Sequence, residues 1–343
     1  MANPTKRTCA VMEHHKYLAS TDEVYRNNRR RIETLTRARI APRTTVIRIP
    51  VVVHVLFHTD EENISAAQIE SQLTALNRDY RNRNNPEAIP TPFRPLAHDA
   101  LIEFALAVRD PDGNATNGIT RTRTSQASFP YDPFDPQTTA KLDKLVKLAP
   151  TGHIAWPRDS YLNLWVCSLS NGLLGYAQFP GGAPGTDGVV ILNTGFGTVG
   201  TAAPPFNAGR TAVHEVGHWL NLLHIWGDDG GGCRGSDNVT DTPNQADSNT
   251  GVPHFPHVTC NNAPNGDMFM NYMDYVDDAA MFMFTKGQVR RMDATLAGPR
   301  LPITQSTGLT PVETEVAAAP RPQEREAGEL PQRWFDGVSW VDA

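Results

Sequence analysis

The segment HEVGHWLNLLH, residues 214–224, puts three imidazoles and one carboxylate close together in the chain. On a helix His214 and His218 lie one turn apart on the same face, so both can reach a single metal ion. Glu215 sits between them, where it can take a proton from a water attacking a substrate held at that metal. His224 is ten residues beyond His214. On an uninterrupted helix it would point roughly 80° away. The helix therefore has to stop before His224 and the chain has to turn back. Asn221 is the expected pivot, because Asn is the residue after Gly that best tolerates the left-handed conformation ending a helix. Three neutral imidazoles leave the fourth position of a tetrahedral zinc site open, which is the layout of a catalytic rather than a structural centre.

A second segment, NYMDYVDD (271–278), carries Met273 and Tyr275. Met273 alone would read as a core methionine. Taken with the histidines, however, the stretches HEVGHWLNLLHIWGD, GSDNVTDTPNQ, NGDMFMNYMDY and MFMFT resemble the pappalysin family of the metzincin clan of zinc peptidases, over roughly residues 44–298. The resemblance implies a zincin-like α/β fold. An upper catalytic subdomain (44–224) would hold a twisted mixed sheet and the active-site helix, and an irregular lower one (225–300) would hold a Met-turn. It implies a secreted zinc endopeptidase, with Met273 beneath the metal and Tyr275 helping to bind the transition state. It also implies cleavage beside basic residues, for which Asp277 and Asp278 would supply the matching charge. Asn221 departs from the clan, which usually has Gly there. Val252 and Ala280 stand where relatives tend to carry a second disulfide, which leaves Cys233–Cys260 as the available bridge. Similar proteins bind calcium near GSDNVTDTP, and Asp237, Asp241 and Thr242 offer the oxygen ligands a hard cation wants. His254 and His257 read as loop residues.

The elements that must position these groups follow from periodicity. Residues 46–57 are a nearly continuous β-branched run, expected as a buried strand. Ser65 with Gln68 predicts a capping box opening a helix to about Asn82. Strands are expected at 101–109, 161–169, 175–179 and 188–192, and helices at 137–149, 207–220 and 286–296. The short GYAQF strand is the edge on which an extended peptide would pair. Residues 225–300 hold ten Asp and no Glu, with many Gly, Asn and Pro, so this part is expected to be built from loops. From Pro299 to Arg333 the chain reads as a disordered Pro/Glu/Ala linker, within a tail (301–343) that ends in the aromatic patch RWFDGVSWVDA.

The 343 residues, 39% hydrophobic and 20% charged, suit an ordinary soluble domain. No stretch has the apolar length of a membrane span, no apolar signal segment is visible at the start, and a net charge of −6 gives no reason to expect nucleic acid. The chain reads as a monomer whose partners are protein or peptide substrates. Charge is uneven: residues 1–43 carry +6 and the remainder −12. That asymmetry fits a basic leader paired electrostatically with an acidic body, and equally a solvated basic arm. Four cysteines are too few for a disulfide scaffold. Cys167, in a strand, is expected to be inert core. Cys9, in a basic stretch with Lys6 and Arg7, is expected to be a free thiol with an enhanced thiolate fraction, able to occupy the fourth zinc position. CAVMEHHKYLAS also resembles the pro-segments of the same family, where a cysteine near the start plays this role. Release of residues 1–43 as an inhibitory pro-segment is expected between Arg37 and Thr44, with Arg43–Thr44 the preferred bond. Two other functions fit fewer of these residues: a zinc hydrolase of a non-peptide amide, and a catalytically silent binding module working through the aromatic patch.

Overall fold

The computed structural model describes residues 3–37, 42–312, 333–335 and 340–342. The chain divides into two units, Met1–Pro311 and Val312–Ala343. Within the second, β9 (Arg333–Phe335) and β10 (Trp340–Asp342) pair as an antiparallel hairpin. Most of the expected linker lies outside the described residues. Its first part does not behave as a linker, because a 3-10 turn at Leu301–Gln305 buries Ile303. Gly308 lies against Tyr161 and Pro50, where a Cβ would meet them at 2.8 and 3.0 Å. One buried Ile and one close-packed Gly in a polar context carry no periodic signal, which is why this segment reads as unstructured.

The first unit is a six-stranded sheet with helices packed on it. Its spine is β1 (Ile47–Phe57), buried from Ile49 onward. Along one side of β1 run β2 (Ile102–Leu106), parallel to its first half, and β3 (Ile119–Arg123), parallel to its second. On the other side lie β4 (Leu162–Cys167) and β6 (Val189–Leu192), both parallel. The order closes on β5 (Gly175–Ala177), an antiparallel edge strand. Parallel strands covered on both faces read as continuous apolar runs, and β1, β4 and β6 do so. The segment ITRTR of β3 is polar, half exposed and follows a turn-rich stretch, so its sequence gives no such signal.

Between β1 and β2 lies α3 (Ala66–Tyr80), capped by Ser65, whose hydroxyl accepts from the Gln68 amide at 3.1 Å. The expected reciprocal half of the capping box is missing. Gln68 is buried and donates instead to the carbonyls of Asn193 and Phe196. Between β3 and β4 lies α4 (Thr138–Val146), and after β6 comes α5 (Arg210–Trp219). Past α5 the chain is mostly loop, as its Asp, Gly, Asn and Pro content predicts. It is interrupted by the short parallel pair β7 (Thr250–Gly251) and β8 (Tyr275–Val276) and by α6 (Lys286–Ala297). A full capping box from Thr285 and Gln288 opens α6. Ahead of β1, α1 (Val11–Thr21) and α2 (Glu23–Arg37) lie against this body.

Candidate metal centre

Every residue of α5 is buried, so His214, Glu215 and His218 are fixed by packing on all sides. The helix stops one residue after His218. Asn221 takes φ 74°, the left-handed conformation, and the Leu222 amide donates back to the Gly217 carbonyl at 2.9 Å. This turn sends His224 back toward the helix. The Nε2 atom of His218 ends 3.0 Å from that of His214 and 3.1 Å from that of His224. Each Nδ1 has an acceptor: the Tyr272 carbonyl for His214 at 2.7 Å, the Leu222 carbonyl for His218 at 2.8 Å, and the Asp228 carboxylate for His224 at 2.8 Å.

Those partners keep the ring proton on Nδ1, so three Nε2 lone pairs converge on one point. Without a cation such a cluster is repulsive, and burial makes protonation no remedy. Burial, with the neighbouring imidazoles, holds His214 and His218 well below the usual histidine range. The donor set therefore fits a divalent metal of borderline softness.

Two glycines make room around the helix. A Cβ on Gly217 would lie 2.6 Å from the Met273 sulfur, so Gly217 lets Met273 pack against α5. A Cβ on Gly175 would meet the Glu215 side chain at 3.2 Å. Glu215 is held there with its carboxyl pushed up to about 8, chiefly by burial. Tyr275 stands edge-on to His224, 4.9 Å between ring centroids, and tilted 5.6 Å from His214.

Cys9 completes the cluster. Its Sγ and one ring nitrogen from each of His214, His218 and His224 all lie within 4.8 Å of one another. The thiol also approaches Glu215 Oε2 at 3.3 Å, and the Tyr275 hydroxyl donates to the Cys9 carbonyl at 3.2 Å. Cys9, expected to lie outside the core, lies within it. The residue is 5% exposed, and burial beside Glu215 pushes its thiol well above the usual range. The leader lies along the edge strand β5 in parallel, with the Ala10 amide donating to Gly175 O at 3.1 Å and the Leu174 amide to Thr8 O at 3.0 Å.

Its side chains reach further contacts. Arg7, fully enclosed, donates to Asp278 Oδ1 at 2.6 Å, Thr211 Oγ1 at 3.2 Å and Val276 O at 3.3 Å, over the Phe206 ring. On α2, Arg29 donates to the Asn221 side-chain oxygen at 2.7 Å. Glu33 accepts from Arg291 through both carboxylate oxygens, at 3.0 and 3.2 Å. Leader and body thus meet through a few enclosed pairs of either sign, with an acid of the leader on a base of the body.

The other predicted residues are placed as follows. Cys233 and Cys260 form a disulfide, and Cys167 is buried in β4. Asp237 accepts from Thr242 Oγ1 at 2.8 Å, with its carboxyl pushed up to about 7 by burial. Asp241 turns away from this pair and takes the Thr285 hydroxyl and Gly287 amide at the start of α6. Of the two acids expected to face a substrate's basic residue, Asp278 accepts from Arg7 of the leader. Asp277 makes no hydrogen bond to Arg7, although the guanidinium lies near enough to act on its charge. The Arg43 side chain is pinned by Asp293 at 2.8 Å and by the Leu101 carbonyl at 2.9 Å, while Pro42, Thr44 and Thr45 are exposed, so the Arg43–Thr44 bond is reachable but its Arg side chain has to be released. Much of the stretch before it, residues 38–41, lies outside the described residues. Sequence reasoning missed Arg7, Asp228 and the Arg29–Glu33–Arg291 set. A Gly-Asp pair three and four residues after the last histidine was the available signal for Asp228.

Comparison with known proteins agrees with this geometry. Residues 151–297 match the peptidase family model described as pregnancy-associated plasma protein-A. An extracellular metalloprotease of Pyricularia oryzae is 32% identical over 77% of this chain and 80% of its own length. A variant of Tannerella forsythia promirolysin is 44% identical, with a TM-score of 0.80 over 90% of this chain and 100% of that one. Mature mirolysin of the same organism, in complex with a cleaved peptide, is 49% identical, with a TM-score of 0.73 over 79% of this chain and 100% of that one. With three imidazoles converging on one point above a Met-turn, and with likeness to these proteins over most of its length, the chain belongs to the pappalysin family of metzincin metallopeptidases.

Proposed function

We propose that the chain is the latent form of a secreted zinc endopeptidase that cuts proteins beside arginine. The observation that carries this reading is the convergence of three Nε2 atoms with the Cys9 thiol on one buried point, with Glu215 alongside. His214, His218 and His224 would hold zinc, and Cys9 would fill its fourth position in the latent chain. Zinc bound there would supply Lewis acidity to the attacking water and to the scissile carbonyl. Glu215 takes the proton from that water and later delivers it to the leaving amine. The Tyr275 hydroxyl, which donates to the Cys9 carbonyl in the latent chain, donates to the substrate oxygen as it gains negative charge. Met273 and Asn221 act by shape: one supports α5 from below, and the other returns His224.

The Arg7 site supports the arginine preference. A planar guanidinium there meets a carboxylate, a hydroxyl and a carbonyl, which a substrate arginine could occupy once the leader leaves. Secretion is supported by the extracellular relatives and by the Cys233–Cys260 bridge. No helix among the described residues is long and apolar enough to cross a membrane. The proposal includes calcium at the loop 237–242. Asp237 and Thr242 would be its ligands, and Asp241 would have to give up its contacts at the start of α6.

The test is a leader-cleaved preparation acting on matched peptides with Arg, Lys or Gln at one position. Cleavage should favour Arg, vanish on metal chelation and return with added zinc. A folded, zinc-loaded, leader-free protein that cuts no peptide would leave the silent binding module as the better account. Hydrolysis of small amides only would favour the non-peptide amidase.

A further inference from the structure

His214 and His218 are placed by a helix, but His224 stands on a loop, and its orientation has to come from side chains. Asp228 is the residue that provides it. Both Asp228 carboxylate oxygens lie within hydrogen-bond reach of His224 Nδ1, at 2.8 and 3.0 Å. No other donor reaches this carboxylate among the described residues. The backbone is bent to achieve the contact. Gly227 and Asp228 take φ 76° and 52°, two left-handed residues in succession, and the Gly227 amide donates to the His224 carbonyl at 3.0 Å. Asp tolerates that conformation better than most residues, though at a cost. Gly227 is required by space as well, since a Cβ there would lie 2.2 Å from the Ser236 amide nitrogen. Trp226 completes the frame, with its ring stacked on the His224 imidazole at 4.3 Å and 8°.

The three histidines are not equivalent in this respect. His214 and His218 give their Nδ1 protons to neutral carbonyls, while His224 gives its proton to a carboxylate. A carboxylate partner draws the Nδ1 proton and makes the opposite nitrogen a stronger electron donor to a metal. We infer that Asp228 is a positioning residue of the metal centre, which orients His224 and makes it the strongest of the three imidazole ligands. The inference rests on the proposed ligand set, and the experiment separates the two.

Zinc dissociation constants are measured for the full-length chain by competition with a chromophoric chelator. The visible spectrum of the cobalt-substituted chain and the melting temperature of the metal-free chain are recorded in parallel. The variants are Asp228→Asn, Asp228→Gly and His224→Ala. Asn keeps the left-handed turn and offers a neutral acceptor, whereas Gly keeps the turn and offers none. Zinc should bind about 10- to 100-fold more weakly to Asp228→Gly, with Asp228→Asn in between. The cobalt spectrum should shift in the same order, and the metal-free melting temperature should stay within a few degrees of wild type. Unchanged zinc affinity and cobalt spectrum in Asp228→Gly would overturn the inference. A loss of metal-free stability as large as the loss measured with zinc would also overturn it, making Asp228 a turn residue. Unchanged zinc affinity in His224→Ala would instead refute the ligand set itself.

Discussion

Replacing Asn221 by Val and by Gly separates two roles that one residue carries in this structure. Its backbone turns the chain toward His224 at φ 74°, and its side chain is gripped by the leader. Forcing a β-branched residue into the left-handed region costs about 1–3 kcal/mol. Gly adopts it freely. Either substitution also removes one acceptor of buried Arg29, which keeps the Pro180 carbonyl and Glu33, at about 1.5–3 kcal/mol while the leader is docked. Val should therefore cost the latent chain about 2.5–6 kcal/mol and the leader-free chain about 1–3 kcal/mol. Strain of that size, relieved by displacing His224, weakens zinc binding about 10- to 100-fold, since 1.4 kcal/mol is a factor of ten. Gly should leave zinc affinity in the leader-free chain unchanged and only speed leader release. The assay is chelator competition on leader-free protein, with the half-time of processing of the full chain measured alongside. Wild-type zinc affinity in Asn221→Val would refute the pivot argument. Zinc loss in Asn221→Gly as severe as in Val would show that the side chain, not the backbone, matters.

Cys9→Ala should shorten the latent lifetime without abolishing latency, because Arg7 and Glu33 still hold the leader on Asp278 and Arg291. Adding Glu33→Gln should accelerate processing at least about tenfold further, given the penalty for stranding a buried charge, and a gel time course reads it. If Cys9→Ala alone is as long-lived as wild type, the thiol is not the switch. Converting Cys233 and Cys260 to Ser opens a bridge spanning 27 residues and should cost about 3.5 kcal/mol of stability by loop entropy, seen as a lower melting temperature. Acid should loosen the leader. His15 is held neutral by burial, with its pKa lowered to about 4 from an ordinary 6.5, among Arg29, Glu33, Lys16, His14 and the Tyr25 hydroxyl. Its stabilising share is complete above pH 6.5 and is lost as pH falls through 4. His14, buried beside Asp143 and Lys147, shifts in the same direction. The melting temperature of the Glu215→Gln chain should fall more steeply over that range than that of its His15→Gln derivative, and equal slopes would count against the idea.

The metal-binding helix, the β1 spine and the turn at Asn221 were legible because each is a local rule: helical spacing, a β-branched run, a left-handed Asn. The start of α3 was half legible. Ser65 caps it as expected, but Gln68 serves the loop at 193–201, a partner no local pattern reveals. The strand ITRTR escaped notice because its pairing with β1 is decided by the sheet and not by its own composition. The leader shows the clearest limit. Cys9 could be singled out, but its local basic neighbours placed it outside the core, and the fold buries it beside Glu215 instead. That outcome depends on contacts more than 200 residues apart in the chain, such as those of Arg7 with Asp278 and Thr211, and spacing along the sequence carries no trace of them.

The most direct test of the account is a comparison of wild type with Glu215→Gln, measuring zinc content and cleavage of an arginine-containing peptide on the same leader-free samples. The substitution leaves His214, His218 and His224 untouched and keeps nearly the same side-chain volume beside Gly175. The account predicts one zinc per chain in both proteins, with peptide cleavage nearly abolished in the variant because the proton acceptor is gone. Loss of zinc together with activity would make Glu215 a structural residue. Undiminished cleavage with zinc in place would contradict its assignment as the base.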